Sequence, residues 1–475
     1  MSELTISATH AGIPYRRLSN YLADAQSPLE RWRQDTVAPA DTSNELADPV
    51  RSSRRSVWAL SDQGIVSLGN CATNVLLARS LGVAEFGIFA LLLEAMLFLN
   101  SLQAALVIYP LSVRGAILDR DGLRRLAGSC LMLTFVLALP LGLAVIFASN
   151  AVDSFGTGLL CAVALAAGQC KETLRRAMMA HGGQRRALPG DAVSYLGQAA
   201  IVLMLSLAGL LTVNTAFAVM AFTSGAAVIV QAFQIGPRFT FRPRQLAQTS
   251  RDFWQLGRWV LMGNLTLIVT TLGCSWTLIY FHGADAVGRF QALANLMKLS
   301  NPLTICMAGL IVPAAARAFR TDGLVAAKSI ARKYGLLTGG VLAPYFLFLV
   351  LLPTTSIHLL YGAASAYSGL GNQLRAFVVW YAALLVAQIV GCLLNAIEQS
   401  RRSFIAQLAQ TLAIIFIALP LTAIYGLDGL MAGGVIANLV MAAAYLSMVR
   451  RMSEPPIVLH SRKVTHENQA ARLAA

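Results

Sequence analysis

The chain has 475 residues, of which 56% are hydrophobic and only 12% charged, and its mean hydropathy is +0.63. A soluble domain carries about 25% charged residues, so the composition excludes a water-soluble enzyme and a disordered chain and implies an integral membrane protein. The net charge of +15 does not point to nucleic acid, because the basic residues sit in short connections between apolar runs, where they orient helices in a bilayer and meet anionic lipid.

In chain order, residues 1–56 are polar and rich in Pro, Ser, Asp and Arg. No apolar run precedes the first span, so this stretch is predicted to be a cytoplasmic tail and not a cleaved leader. Its segment Ile13–Asp35 mixes Tyr15, Leu18, Tyr21, Leu22, Leu29 and Trp32 with four arginines, a pattern open to a helix on the membrane surface or to a disordered tail. Apolar stretches of ~20 residues or more, the length a helix needs to cross hydrocarbon, then fall near 57–79, 84–110, 126–149, 154–173, 192–211 and 213–235. A connector over 236–258 follows, and six more stretches lie near 259–281, 285–316, 334–353, 374–397, 403–425 and 427–449. Residues 450–475 form a second polar tail. The two tails and the connections around 111–125, 171–188, 236–258, 317–333 and 401–402 hold 33 of the 37 lysines and arginines. The remaining four are Arg79, Arg289, Lys298 and Arg375. This asymmetry is the positive-inside pattern and predicts both termini on the cytoplasmic side.

The polar residues inside the spans mark helix faces that avoid lipid, since an ionisable group in hydrocarbon is costly. Span one carries Asp62, Gln63, Asn70 and Asn74, with the two asparagines four apart on one face. Span two carries Glu94, Asn100 and Gln103, and span seven Asn264 and Trp276. Span eight carries Gln291, Asn295 and Lys298 at i, i+4 and i+7, one stripe on one face. Glu94, Asn295 and Lys298 are the leading candidates to line a hydrated cavity formed by spans one, two, seven and eight, with Asp62, Asn70, Asn74, Gln103 and Gln291 in support. Glu94 and Lys298 also fit a mutual ion pair, and each amide fits an interhelical hydrogen bond. Arg79 and Arg289 lie by the turns opposite the basic connections. They suit either snorkelling to the interface or bidentate contact with phosphate.

An internal repeat ties the halves together. Gly82, Gly87 and Phe89 follow span one, and Gly283, Gly288 and Phe290 follow span seven, with identical spacing and an offset of 201 residues. Glu94 and Asn295 are equivalent under the same offset. Six spans per copy gives the copies the same direction in the membrane, as in two-bundle transporters. The predicted architecture is therefore an all-α polytopic membrane protein of about 12 transmembrane helices in two six-helix bundles, 57–235 and 259–449, with pseudo-two-fold symmetry.

No GxxxxGK[ST] loop, HExxH or GxSxG motif occurs. The longest connection on the outer side, 354–373, is too short for a catalytic domain. The seven cysteines are scattered through the spans without metal or disulfide spacing. A transporter without cofactor or metal is expected, not an enzyme.

Span one opens Ser61-Asp62-Gln63-Gly64 and reaches Gly69-Asn70. It ends Leu76-Leu77-Ala78-Arg79 and leads into Gly82-Val83-Ala84-Glu85-Phe86-Gly87. With Leu174-Arg175-Arg176, Ala187 and Asp191 after span four and Leu360-Tyr361-Gly362 before span ten, this resembles the polysaccharide-transporter branch of the multidrug/oligosaccharidyl-lipid/polysaccharide exporter superfamily over 57–449. The long N-terminal tail and the twelve spans, where some members have fourteen, depart from it. The resemblance implies a bacterial inner-membrane flippase for undecaprenyl-pyrophosphate-linked sugar units, serving exopolysaccharide, O-antigen or capsule synthesis beside a polymerase and export machinery. It also implies two bundles rocking about a cationic cavity, where Arg79, Arg289 and Lys298 would meet pyrophosphate or acidic sugar and Glu94 would pair with one of them or carry a proton. A drug or metabolite exporter of the same fold and a polysaccharide polymerase or ligase are the competing expectations.

Overall fold

The computed structural model describes residues 49–115, 118–180, 184–239, 243–397 and 399–452. The Ile13–Asp35 segment and most of both predicted tails lie outside the described residues. Among the described residues the chain is helical with no strand, and it makes twelve helical passes. The first six are α1 (Pro49–Ser80), α2 (Val83–Gly115), α3 (Arg120–Val152), α4 (Phe155–Ala180), α5 (184–207) and α6 (Val213–Ile235). The next run, Pro243–Lys298, holds α7 (243–282) and the first part of α8 (284–322), which part at Gly283. Asn301–Leu351 holds the rest of α8 and α9 (324–351), which part at Gly323. A short helix, Pro353–Tyr361, precedes α10 (Gly371–Ala396), and α11 (400–425) and α12 (427–450) part at Gly426.

Single glycines make these reversals. Gly283, Gly323 and Gly426 have φ of 78°, 80° and 61°, conformations that only glycine adopts at no steric cost. One residue therefore turns the chain at each of these three points. The α11–α12 return is tight: a Cβ on Gly429 would come within 1.9 Å of the Leu421 carbonyl oxygen, and one on Gly433 within 2.4 Å of Ala418 Cα. Seven helical segments are long and apolar enough to cross a membrane by length and composition, two of them, Asn301–Leu351 and Arg401–Arg450, with two passes each. The protein is a multi-pass membrane protein. Passes α1, α4 and α7 are not among the seven; α1 and α4 carry buried charges.

In the first half α3 packs on α4, α4 on α6 and α1 on α5; in the second, α10 packs on the α8–α9 run and on α12, and α11 on α12. The two halves meet chiefly where α2 lies along the α7–α8 run. There the repeat becomes geometry. A Cβ on Gly87 would stand 2.0 Å from the Ala284 carbonyl oxygen, and one on Gly288 would stand 2.1 Å from that of Val83. Gly87 corresponds to Gly288 and Val83 to Ala284 under the 201-residue offset, so the two contacts are one contact written twice about the pseudo-two-fold axis. Each repeat phenylalanine anchors its helix in its own half: Phe89 packs on Phe217 of α6 at 5.0 Å and Phe290 on Phe377 of α10 at 5.6 Å between ring centroids.

Two irregularities were not foreseen from hydropathy. Pass α8 breaks at Leu299–Ser300 because Pro302 follows, and proline has no N–H for the preceding turn and crowds its carbonyls. Lys298 therefore ends a helical segment, where its charge complements the carbonyl end. Three π-helical turns interrupt the passes: Ala104–Ile108 in α2, Ala192–Leu196 in α5 and Ile414–Ala418 in α11.

Candidate substrate cavities

The charges of α4 form a closed cluster. Arg175 donates from Nη2 to Asp62 Oδ2 of α1 at 2.6 Å and from Nε to Asp191 Oδ2 of α5 at 2.7 Å, with Glu172 3.4 Å away. Glu172 also accepts from Arg176 Nε at 2.6 Å. Asp62, Arg175 and Asp191 are all buried. Buried charge is tolerable only when paired in good geometry, and a guanidinium satisfies several carboxylates at once. Asp62, a supporting candidate from sequence, is thus held in this cluster. Beside it Lys171 is buried, donates to Ser194 Oγ at 3.0 Å and lies 4.0 Å from the Tyr195 ring centroid. Gln103 is buried too. Its amide nitrogen reaches Thr173 Oγ1 at 2.9 Å, the Gln169 carbonyl at 3.0 Å and Thr134 Oγ1 at 3.4 Å, which ties α2 to α3 and α4.

Two polar cavities follow from these placements. The first, about 400 Å³, lies among α1, α2, α4, α5 and α6, bordered by Asn70, Asn100, Gln103, Lys171 and Arg176. Asn74 stands one turn on from Asn70 and donates to its carbonyl at 2.9 Å. The second, about 270 Å³, is bordered by Glu94 of α2 and by residues of α7, α8, α10, α11 and α12. Each π turn borders a cavity: Ala104, Ser194 and Tyr195 the first, Ile414 and Ala418 the second. A π turn shifts the register of side chains on a helix and often stands at functional sites.

Two residues of the polar stripe of α8, Gln291 and Lys298, border the second cavity, and Asn295 borders neither cavity. Gln291 donates its amide to Glu94 across the interface between the halves and accepts from Lys298 Nζ at 3.3 Å. Lys298 is solvent-accessible although deep in the molecule, which places it on a cavity wall. Among the described residues no carboxylate lies within 4.0 Å of it. A single amide relays Glu94 to Lys298, so the direct ion pair considered from sequence does not form. Asn295 is buried and its amide nitrogen has no hydrogen-bond partner, and neither has the second carboxylate oxygen of Glu94. Arg79 and Arg289 are exposed and border neither cavity. The side chain of Asn264 lies outside the described residues.

Sequence reasoning centred the cavity on spans one, two, seven and eight and missed the contributions of α4–α6 and α10–α12. Lys171 read as one more topogenic charge. The second cavity's aromatic wall, Phe377, Trp380 and Tyr381, recurs at i, i+3 and i+4, a spacing that signals a shared face but not what the face meets.

No protein-family model and no curated sequence matches the chain. Solved structures do match its fold. They include an inward-facing multidrug resistance MATE family transporter of the MOP superfamily (TM-score 0.65, 14% identity, covering 81% of this chain and 94% of that one). Lipid II flippase MurJ in an inward closed conformation is similar (TM-score 0.63, 14% identity, 83% and 87%). So is a MOP superfamily transporter from Pyrococcus furiosus described by the reverse polarity of its binding pocket (TM-score 0.60, 14% identity, 85% and 96%). The twelve-pass fold of the chain is similar to that of these solved transporters and this flippase.

Proposed function

We propose that this protein is a flippase that moves an anionic lipid-linked oligosaccharide, of the undecaprenyl-pyrophosphate type, from the inner to the outer leaflet of a bacterial inner membrane, for handing to a polymerase. The two moving bodies are 57–235 and 259–449, joined by the 236–258 connector. Lys298 carries this reading. It is a cation on the wall of a deep cavity, without a carboxylate in ion-pair contact. The buried carboxylates of the first half, Asp62 and Asp191, are committed to Arg175, and Glu94 accepts from Gln291. Bases at least match acids on both walls, Lys171 and Arg176 beside Glu172 in the first cavity and Lys298 beside Glu94 in the second, which suits an anionic headgroup better than a cationic drug. Charge does not cross hydrocarbon unaided, and a fixed cation in a low-dielectric cavity replaces part of the lost hydration. The reciprocal Gly87/Gly288 contact shuts one end of the α2/α8 interface, and translocation requires it to part. An exporter of the same fold is the second reading, supported by the likeness to a multidrug resistance transporter.

The test complements a deletion strain with Lys298→Ala and Lys298→Arg. Lys298→Ala is expected to lower surface polysaccharide about tenfold, equivalent to ~1.4 kcal/mol, with the sugar-lipid precursor trapped in the inner leaflet, while Lys298→Arg retains most export. Normal surface sugar with raised drug sensitivity in the deletion strain would favour the exporter. Precursor that reaches the outer leaflet unpolymerised would favour a polymerase.

A further inference from the structure

The second cavity carries a feature that a phosphate site does not need. Opposite Glu94 and Lys298, its wall is an aromatic cluster on α10 and α8. Phe377 sits 5.1 Å from Trp380, 5.3 Å from Tyr381 and 5.6 Å from Phe290 between ring centroids. Trp380 lies against the backbone at Gly434 of α12, where a Cβ would stand 2.0 Å from the indole ring. Only glycine leaves room for the ring there, so the indole is set in place by the fold. Trp380 and Tyr381 are half-buried, with surface left on the cavity side. The floor supplies amides. Gln410 of α11 donates to Asn438 Oδ1 at 3.0 Å, and Asn438 donates to the Gly434 carbonyl at 2.8 Å. A third amide bordering the cavity, Gln291, bridges Glu94 and Lys298.

We infer that this cavity, between the Trp380–Tyr381 wall and the Gln410–Asn438 amides, is a binding site for a sugar ring of the transported unit, with Lys298 at its charged edge. The chemistry is specific to carbohydrate. One face of a pyranose presents C–H groups, which pack on the electron-rich face of an indole or phenol ring. Its rim presents hydroxyls that both donate and accept, which amides match and a lone carboxylate or ammonium does not. The cavity's ~270 Å³ lies near the small end of ligand pockets, ~300–1,000 Å³, so it takes part of a glycan and not a whole repeat unit. An organic cation would also stack on these rings, but Lys298 borders the same cavity and opposes it. The inference rests on the flippase reading and adds where the glycan sits.

Binding to the full-length protein in lipid nanodiscs separates the two. The probes are farnesyl pyrophosphate and the same lipid carrying a cellobiose unit on its pyrophosphate, with tetraphenylphosphonium as the cationic control. The wild type should bind the glycosylated probe about tenfold tighter than the bare one. Trp380→Ala should bring that ratio to near one with little change for the bare probe. Lys298→Ala should weaken both probes alike and keep the ratio. Trp380→Phe keeps an aromatic ring and should keep most of the preference, while Gln410→Leu, close in volume, should lower it severalfold; these two guard against misfolding of Trp380→Ala. A ratio unmoved by Trp380→Ala and Gln410→Leu, with Lys298→Ala still weakening both probes, overturns the sugar site and leaves the flippase reading standing. Failure of either lipid to bind, with tetraphenylphosphonium bound and lost on Trp380→Ala, overturns both.

Discussion

Arg175 is held by carboxylates from three passes, its own included. It is buried and bonded to Asp62 and Asp191 from two other passes, and each of these keeps one carboxylate oxygen without a partner. Removing the guanidinium would leave two buried carboxylates facing each other, at a cost of about 3–5 kcal/mol. Arg175→Ala is therefore expected to lower the thermal midpoint in detergent far more than Arg176→Ala, whose side chain is exposed. Equal losses would mean that the cluster contributes no stability. From sequence this arginine was indistinguishable from its neighbour, because both follow an apolar stretch and both count equally towards topology. Only the proximity of α1 and α5 separates them.

The passes are ordinary apolar helices until glycine or proline changes their course. Gly87 and Gly288 permit backbone contact between α2 and α8, and any side chain at either position must push the helices apart. Gly87→Val and Gly288→Val are expected to favour the state in which this end is open. Spin labels on unnatural amino acids at Ala84 and Asp285, both exposed, should then show a longer distance, while Gly64→Ala, with open space around it, should leave the distribution unchanged. A distribution unaltered by either valine would show that the contact is not a gate. The glycine spacing was visible as a repeat, and the meaning of that repeat as a reciprocal contact was not. The π turns were not read from the sequence, because a one-residue shift of register is lost in spans that are apolar on nearly every face.

The whole molecule has one prediction that charge alone makes. Reporter fusions after residues 150, 212, 283 and 426 should report the outer side, and fusions after 120, 184, 245 and 325 the cytoplasmic side. Two reversals would discard the orientation. The number of passes, their order and the existence of two similar halves were legible because hydropathy and loop charge are local properties. Each apolar run must span and each basic loop is retained on one side, whatever the helices later touch. The stripe Gln291, Asn295 and Lys298 was legible for the same reason, since helical periodicity fixes a shared face. Which face meets which was not. Glu94 reached Gln291 and not Lys298, Asp62 was held by Arg175, Gln103 became a tie between three helices, and Arg79 and Arg289 stayed outside both cavities. A polar side chain in a membrane must find a partner or water, and helices distant in sequence supply that partner. The sequence alone therefore determined the number and order of this chain's apolar helical passes, and only tertiary packing decided which of its polar residues are held by other helices and which face a cavity.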